Sequence, residues 1–413
     1  MKLGLVTIAA FLALPAVSFG ASLQIPPIVP VAAEIAILQS NPYQSVATHG
    51  LPKLIQSAEF GEPGSDARLA AWLKTNPQAP IEDRRIVNHR LCTDYQARND
   101  YAAAAITCTT ATALGTDDAQ SAAINSKLRN LPVIRAIGST RITLTRNGLG
   151  SRNAEVEVNG IRVPWLMDTG AQITVISASL SIKLGVRLLD GDAKIGSTTG
   201  NVQGRIGFID LLHIGTASVE NVPVMILPDA QLKIGDLPQI QAIFGLPIFV
   251  AFRRAAWLDN NNTLALGETA PTANGNIKRL YWHDEGIGIP IATVRGTMGA
   301  HLDTGANDTT LRAAAHAMLN IETERNASHY TATVGGAAGV RKTEMQRYPA
   351  LTFTIAGAPI SLTNVKIDDS NEQGAARVKN PIPLADLRIL LPDIRHRIST
   401  GDLAGRLTLH GGR

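Results

Sequence analysis

Cysteine and clustered charge are both scarce in this chain of 413 residues. Only two cysteines occur, Cys92 and Cys108, too few at this spacing for a structural metal site. Lys and Arg total 38 against 34 Asp and Glu, and no basic block stands out. The electrostatic footprint of a nucleic-acid-binding protein is therefore missing. There is no Gly-Xaa-Ser-Xaa-Gly elbow and no Ser-His-Asp or metal-type cluster. No Gly-rich loop runs into a Lys and a helix start, so phosphate-cradle signatures are absent too. Beyond the first twenty residues no apolar run could cross a bilayer. What remains is 45% hydrophobic and 17% charged, a globular composition long enough for two or three domains.

The amino terminus reads as a signal peptide over 1–20. Lys2 supplies the positive start, Leu3–Leu14 the apolar run, and Ser18-Phe19-Gly20 small residues before cleavage at Ala21. This predicts export to the periplasm or the exterior, with no stable membrane span after removal; the alternative is a retained anchor. In an exported chain two cysteines predict a disulfide. The sequence between them reads as a helix, a polar Arg98-Asn99-Asp100 turn and a second helix, and that hairpin would bring Cys92 to Cys108. Two unpaired buried thiols are the other reading.

Residues 21–135 read as a small α-helical domain, with helical periodicity at Ala70–Leu73, Ile86–Tyr95, Tyr101–Leu114 and Ala119–Leu128. Asp117 and Asp118 are cap candidates for the last. The Tyr95-to-Ala105 stretch is similar to one tetratricopeptide-type hairpin. After Pro132 strands and turns take over: a first unit at 136–268, a linker at 269–279 and a second unit at 280–413. Asn159-Gly160 marks a hairpin leading into Ile161–Met167. One short helix is expected in each unit, at Ala178–Leu184 and Arg312–Leu319.

The tetrapeptide Asp-Thr-Gly-Ala occurs twice, at Asp168–Ala171 and Asp303–Ala306. The offset between the two copies persists past the motif without a gap, with Ile176 opposite Leu311 and Leu184 opposite Leu319. A repeat of this length implies two related lobes, which a pseudo-two-fold would bring face to face. Two carboxylates held so close cannot both ionise and share one proton. The ionised member draws a proton from water, and the protonated member donates to a substrate carbonyl. The Thr169 and Thr304 hydroxyls can bridge to the opposite loop. Gly170 and Gly305 are read as letting the backbone turn tightly beneath the acids.

An apolar residue followed by Asp-Thr-Gly-Ala resembles the retropepsin-like branch of the aspartic protease superfamily. Asp303-Thr304-Gly305-Ala306-Asn307-Asp308-Thr309 is similar to the retroviral run. The resemblance covers residues 139–410. It implies a mainly β fold of two β-barrel lobes behind the helical domain, and an aspartic endopeptidase with Asp168 and Asp303 as catalytic pair. It also implies a peptide substrate, water as nucleophile, no cofactor or metal, and a monomer carrying both half-sites. The implied flaps are Gly196-Ser197-Thr198-Thr199-Gly200 and Gly335-Gly336-Ala337-Ala338-Gly339, with Asn307 and Asp308 as further substrate contacts. Ile243-Phe244-Gly245 matches the supporting turn of lobe one; Asn380–Leu390 offers no such Gly in lobe two. Pepsin-like enzymes often have Ser or Thr where Ala171 and Ala306 stand, so a higher working pH is implied. A protease-like protein that binds peptides without cleaving them is the alternative.

Overall fold

The computed structural model describes residues 6–8, 50–59, 64–148, 150–197, 199–234, 238–259, 262–270, 277–279, 281–283, 286–293, 296–306, 310–312, 327–355, 358–368, 388–389, 398–400 and 406–409. The fold is mainly β, with a small helical region at the amino-terminal side.

Among the described residues five helices form that region: Leu51–Glu59, Ser65–Thr75, Ile81–Ala97, Tyr101–Ala113 and Ala119–Leu128. The turn between the third and fourth is set by Asn99 at φ 60° and by Asp100, whose side chain accepts from the Ala103 N–H at 3.1 Å. That cap fixes the hairpin, and Cys92 is joined to Cys108 across it by a disulfide. Asp118 stands at the N-cap of the last helix without capping it. Its carboxylate is taken instead by His89 Nδ1 at 2.9 Å and by the Thr116 hydroxyl.

In lobe one Arg152–Val158 alternates, with Ala154, Val156 and Val158 buried and Glu155 exposed. Asn159 and Gly160 both take positive φ, 50° and 75°, the geometry of a tight hairpin that matches strand twist. The chain returns along Ile161–Met167, whose last three residues are all buried. Six strands close into a barrel. Gly200–Ile214 pairs with Ala217–Leu227, which runs parallel to Thr174–Ser177. Ala242–Phe244 is antiparallel to Thr174–Ser177 and parallel to Ile161–Met167. Arg152–Val158 completes the ring by pairing with both Ile161–Met167 and Gly200–Ile214. Trp165, Phe244 and Phe249 are fully buried within it.

Lobe two repeats this ring. Gly339–Ile355 pairs with Ala358–Asp368, which runs parallel to Thr310–Arg312. Arg388–Ile389 is antiparallel to Thr310 and parallel to His301-Leu302. Gly286–Thr293 closes the ring against Gly296–Leu302 and Gly339–Ile355. Arg388–Ile389 thus does for lobe two what Ile243-Phe244 does for lobe one.

A third sheet joins the lobes. Its order is Ile277–Arg279, Arg406–Leu409, Ile398–Thr400, Ala255–Leu258, Thr263–Leu266, Thr140–Thr143. Three strands come from each half, and the halves meet where Ala255 pairs with Thr400 and Ala256 with Ser399. The segment read as a linker, 269–279, therefore ends in a strand of this sheet. Of the two helices expected, Ala178–Lys183 is present, N-capped by Ser177 Oγ. Arg312 closes a strand rather than opening a helix, and 313–319 lie outside the described residues.

Candidate active site

Strands Ile161–Met167 and Gly296–Leu302 run straight into Asp168 and Asp303. The two ranges are separated by the same offset as the motifs. Four hydrogen bonds lock the loops together. The Thr169 N–H donates to Thr304 Oγ1 at 3.0 Å, and the Thr304 N–H donates to Thr169 Oγ1 at 3.1 Å. The Thr169 hydroxyl donates to the Leu302 carbonyl at 2.7 Å, and the Thr304 hydroxyl to the Met167 carbonyl at 3.0 Å. Each bond maps onto another when the lobes are exchanged, as a pseudo-two-fold requires.

The acids are buried, Asp168 at 0% and Asp303 at 1% exposure. Oδ1 of Asp168 accepts from the Gly170 N–H at 2.8 Å. Oδ1 of Asp303 accepts from the N–H groups of Gly305 at 3.0 Å and Ala306 at 3.1 Å. Oδ2 of each is buried with no hydrogen-bond partner among the described residues. Burial, then the negative charge of Asp303, hold the Asp168 carboxyl well above the usual carboxylate range. Each acid thus has one oxygen clamped by backbone and one left over. This arrangement can pass a proton in both directions.

The reason for glycine in the motif differs from the one read in the sequence. Neither Gly170 nor Gly305 has positive φ. Space decides instead: a Cβ on Gly305 would lie 2.2 Å from Asp168 Cγ and 2.5 Å from both its oxygens. Gly305 is where the opposite carboxyl rests. Gly245 is likewise closed to a side chain, with Ile173 backbone atoms at 2.8 Å and the Ala171 carbonyl at 2.9 Å. Around it the Leu246 N–H donates to the Ala171 carbonyl at 2.8 Å, and the Asp168 N–H donates to the Phe244 carbonyl at 3.1 Å. The supporting turn is thereby tied to the first acid loop on both sides. Ala171 and Ala306 are buried.

Gly196 and Ser197 end one hairpin strand and Gly335 and Gly336 end the other. The two tips touch, the Ala338 N–H donating to Ser197 Oγ at 3.3 Å and to Thr199 Oγ1 at 3.1 Å. A Cβ on Gly336 would meet Thr199 Oγ1 at 2.7 Å, and one on Gly335 would meet Ile234 Cγ2 at 2.6 Å. Gly336 thus serves the contact between the hairpins, and Gly335 the contact with Ile234 just past Asp229–Leu232. Thr198, Asn307 and Asp308 lie outside the described residues. Among the described residues no group of three or more His, Cys, Asp or Glu is placed to hold a metal ion, and no helix is long and apolar enough to cross a membrane.

Sequence reasoning missed Ser151, a fully buried residue of lobe one whose hydroxyl donates to the Gly305 carbonyl at 3.0 Å. It props the second acid loop from the first lobe. Its counterpart at the motif's offset is Gly286, so the repeat gave no signal for it.

Residues 154–248 match the family model described as aspartyl protease. The likeness to the retropepsin-like superfamily read from the doubled motif stands with it. Among solved structures the chain is similar to a retropepsin-like aspartic protease from Rickettsia conorii. That match has 20% identity and a TM-score of 0.23, covering 32% of this chain and 99% of that one. It is also similar to Basic 7S globulin from soybean at 9% identity and a TM-score of 0.43, over 66% of this chain and 94% of that one. No curated protein matches the sequence.

Proposed function

We propose that the protein is an exported, monomeric aspartic endopeptidase whose dyad is Asp168 and Asp303. The observation that carries this is the pair of buried carboxylates with Oδ1 clamped and Oδ2 without a partner, held by reciprocal threonine bonds. The pair shares one proton in the free enzyme. The ionised member takes a proton from water as the water oxygen attacks the scissile carbonyl carbon, and the protonated member donates to the carbonyl oxygen. The resulting tetrahedral diol collapses when a dyad proton reaches the leaving nitrogen, and the C–N bond breaks. No covalent enzyme intermediate forms. The touching hairpins are read as flaps that part to admit an extended peptide.

Export is supported by the leader-like first twenty residues and by the Cys92–Cys108 disulfide, a bond that persists in oxidising compartments. The monomer is supported by the presence of both acid loops in one chain. The test is cleavage of a peptide library by the mature protein from about pH 3 to about pH 8, with Asp168→Asn and Asp303→Asn as controls. Cleavage lost in both variants is expected. Cleavage that survives in both, or that is missing from the folded wild type, overturns the reading; in the latter case retained peptide binding would favour a non-cleaving receptor.

A further inference from the structure

Both acids are served by backbone N–H groups of their own loops. Gly170 and Ala171 act on Asp168, and Gly305 and Ala306 act on Asp303. Donors to a carboxylate favour its charged form, so the loops by themselves do not choose between the acids. What separates the two is the group that stands behind one of those donors.

The carbonyl of Gly305 and the N–H of Ala306 belong to a single peptide group. Its N–H donates to Asp303 Oδ1 at 3.1 Å, and its carbonyl accepts from the Ser151 hydroxyl at 3.0 Å. A chain of hydrogen bonds therefore runs from Ser151 through the peptide to the carboxylate. Bonds in such a chain polarise one another: a donor on the carbonyl oxygen draws electrons from the peptide nitrogen and makes its N–H a stronger donor. The chain is buried at both ends, Ser151 at 0% and Asp303 at 1% exposure, where a low dielectric strengthens each bond.

Ser151 is fixed on both sides. Its N–H donates to Asn147 Oδ1 at 3.0 Å, and its carbonyl accepts from the Asn147 N–H at 3.0 Å. Asn147 Nδ2 in turn donates to Asn153 Oδ1 at 2.8 Å. At the motif's offset lobe two carries Gly286, which has no hydroxyl to offer the Asp168 loop.

We infer that Ser151 is a positioning residue that places the proton of the dyad: it sits on Asp168, and Asp303 is the ionised member. The inference rests on the endopeptidase reading. In the reaction Asp303 takes a proton from the attacking water, and Asp168 gives its own to the scissile carbonyl oxygen. The dyad leaves that step with its single proton moved from Asp168 to Asp303. The Asp168 carboxyl, held up by burial and by the charge of Asp303, fits this order.

Two measurements test it. The first is carbon NMR of the full mature protein, isotope-labelled at the aspartate Cγ atoms, with the dyad signals assigned from Asp168→Asn and Asp303→Asn. Where the pair holds one proton, Asp168 is expected at the carboxylic-acid shift and Asp303 at the carboxylate shift. The reverse order, or two equal averaged shifts, overturns the assignment. The second is kcat/KM against pH for wild type, Ser151→Ala and Ser151→Thr. Loss of the hydroxyl should move the acidic limb up by about 0.2–0.7 pH unit, the size of a roughly 10–30% weakening of one charge-assisted hydrogen bond. In the spectra of Ser151→Ala the pair should take up its second proton at correspondingly higher pH. Ser151→Thr keeps the hydroxyl and should keep the limb.

Other titratable or charged neighbours are His301, on the strand that leads into Asp303, Arg388, paired with His301 along the backbone, and Asp308 further along the chain. They are the same in every Ser151 variant and cancel in the comparison. A merely structural serine would lower kcat/KM by one factor at every pH; an unmoved limb in Ser151→Ala therefore overturns its role. Ser151→Ala removes a single atom and decides the matter if Ser151→Thr does not fold. No cleavage by folded wild type overturns the endopeptidase reading alone, since the spectra still answer both questions.

Discussion

Replacing Gly305 with Ala puts one methyl group where the structure places the carboxyl of Asp168. The added Cβ would sit 2.2 Å from Asp168 Cγ and 2.5 Å from each of its oxygens. Carbon atoms in ordinary contact lie about 3.5–4.0 Å apart, so the carboxyl or the loop must retreat by more than about 1 Å. The carboxyl has little freedom to do so. Its Oδ1 is held by the Gly170 N–H at 2.8 Å, and the Asp168 N–H is held by the Phe244 carbonyl. A misplacement of about 1 Å at reacting groups costs about 100-fold in rate, and overpacking adds about 1–3 kcal/mol of destabilisation. The assay is Michaelis–Menten kinetics on a fluorogenic peptide beside a thermal melt. A fall of about 100-fold or more in kcat is expected in a protein that still folds. Wild-type kcat in a folded Gly305→Ala protein would refute the claim that the two carboxyls meet at this loop.

Other outcomes follow from the same geometry. Burial raises the Asp168 carboxyl above its unfolded value, so the folded state binds the proton more tightly and stability falls as pH rises through that window. Asp168→Asn should therefore melt higher than wild type near neutral pH, with the gain shrinking toward the ordinary carboxylate range; a constant difference across pH would contradict the burial argument. Thr304→Val leaves the Thr169 N–H buried without its acceptor and should cost about 1–3 kcal/mol by chemical denaturation, along with most of the activity. Serine at both Ala171 and Ala306 should supply hydroxyls to the carboxylates and move the acidic limb of the pH–rate curve downward; an unmoved limb removes the argument from the two alanines. Replacing Cys92 and Cys108 with Ser opens a loop of 16 residues, which is expected to cost about 3 kcal/mol of stability, read from the denaturation midpoint.

The part of the fold legible in the sequence is the part where the repeat keeps its spacing. Ile161–Met167 and Gly296–Leu302 obey the motif's offset, and so do the acids they carry. Beyond the motif the spacing drifts. Ser197 and Gly336 end matching hairpin strands at a wider separation, and Ile243 and Arg388 fill matching closing positions at a wider one still. Loop insertions change the spacing while leaving the ladder intact. A two-residue strand held by backbone pairing, Arg388–Ile389, needs no apolar pattern and leaves none to read. The sheet between the lobes was hidden for a similar reason. Its partners lie far apart along the chain, Ala256 against Ser399 for example, and short strands carry no signal for a distant neighbour. Gly305 was legible as a requirement but not for its cause. Its φ is unremarkable, and only the position of Asp168 shows why a side chain is excluded.

The central claim is that one chain builds one complete dyad. Peptide cleavage by Asp168→Asn, by Asp303→Asn and by an equimolar mixture of the two tests it most directly. The account predicts that wild type cleaves while each variant and the mixture are inactive, because every molecule of either variant lacks one acid of its own pair. Activity in either variant alone would show that a single acid suffices. Activity restored in the mixture would show that the working site is assembled between two chains.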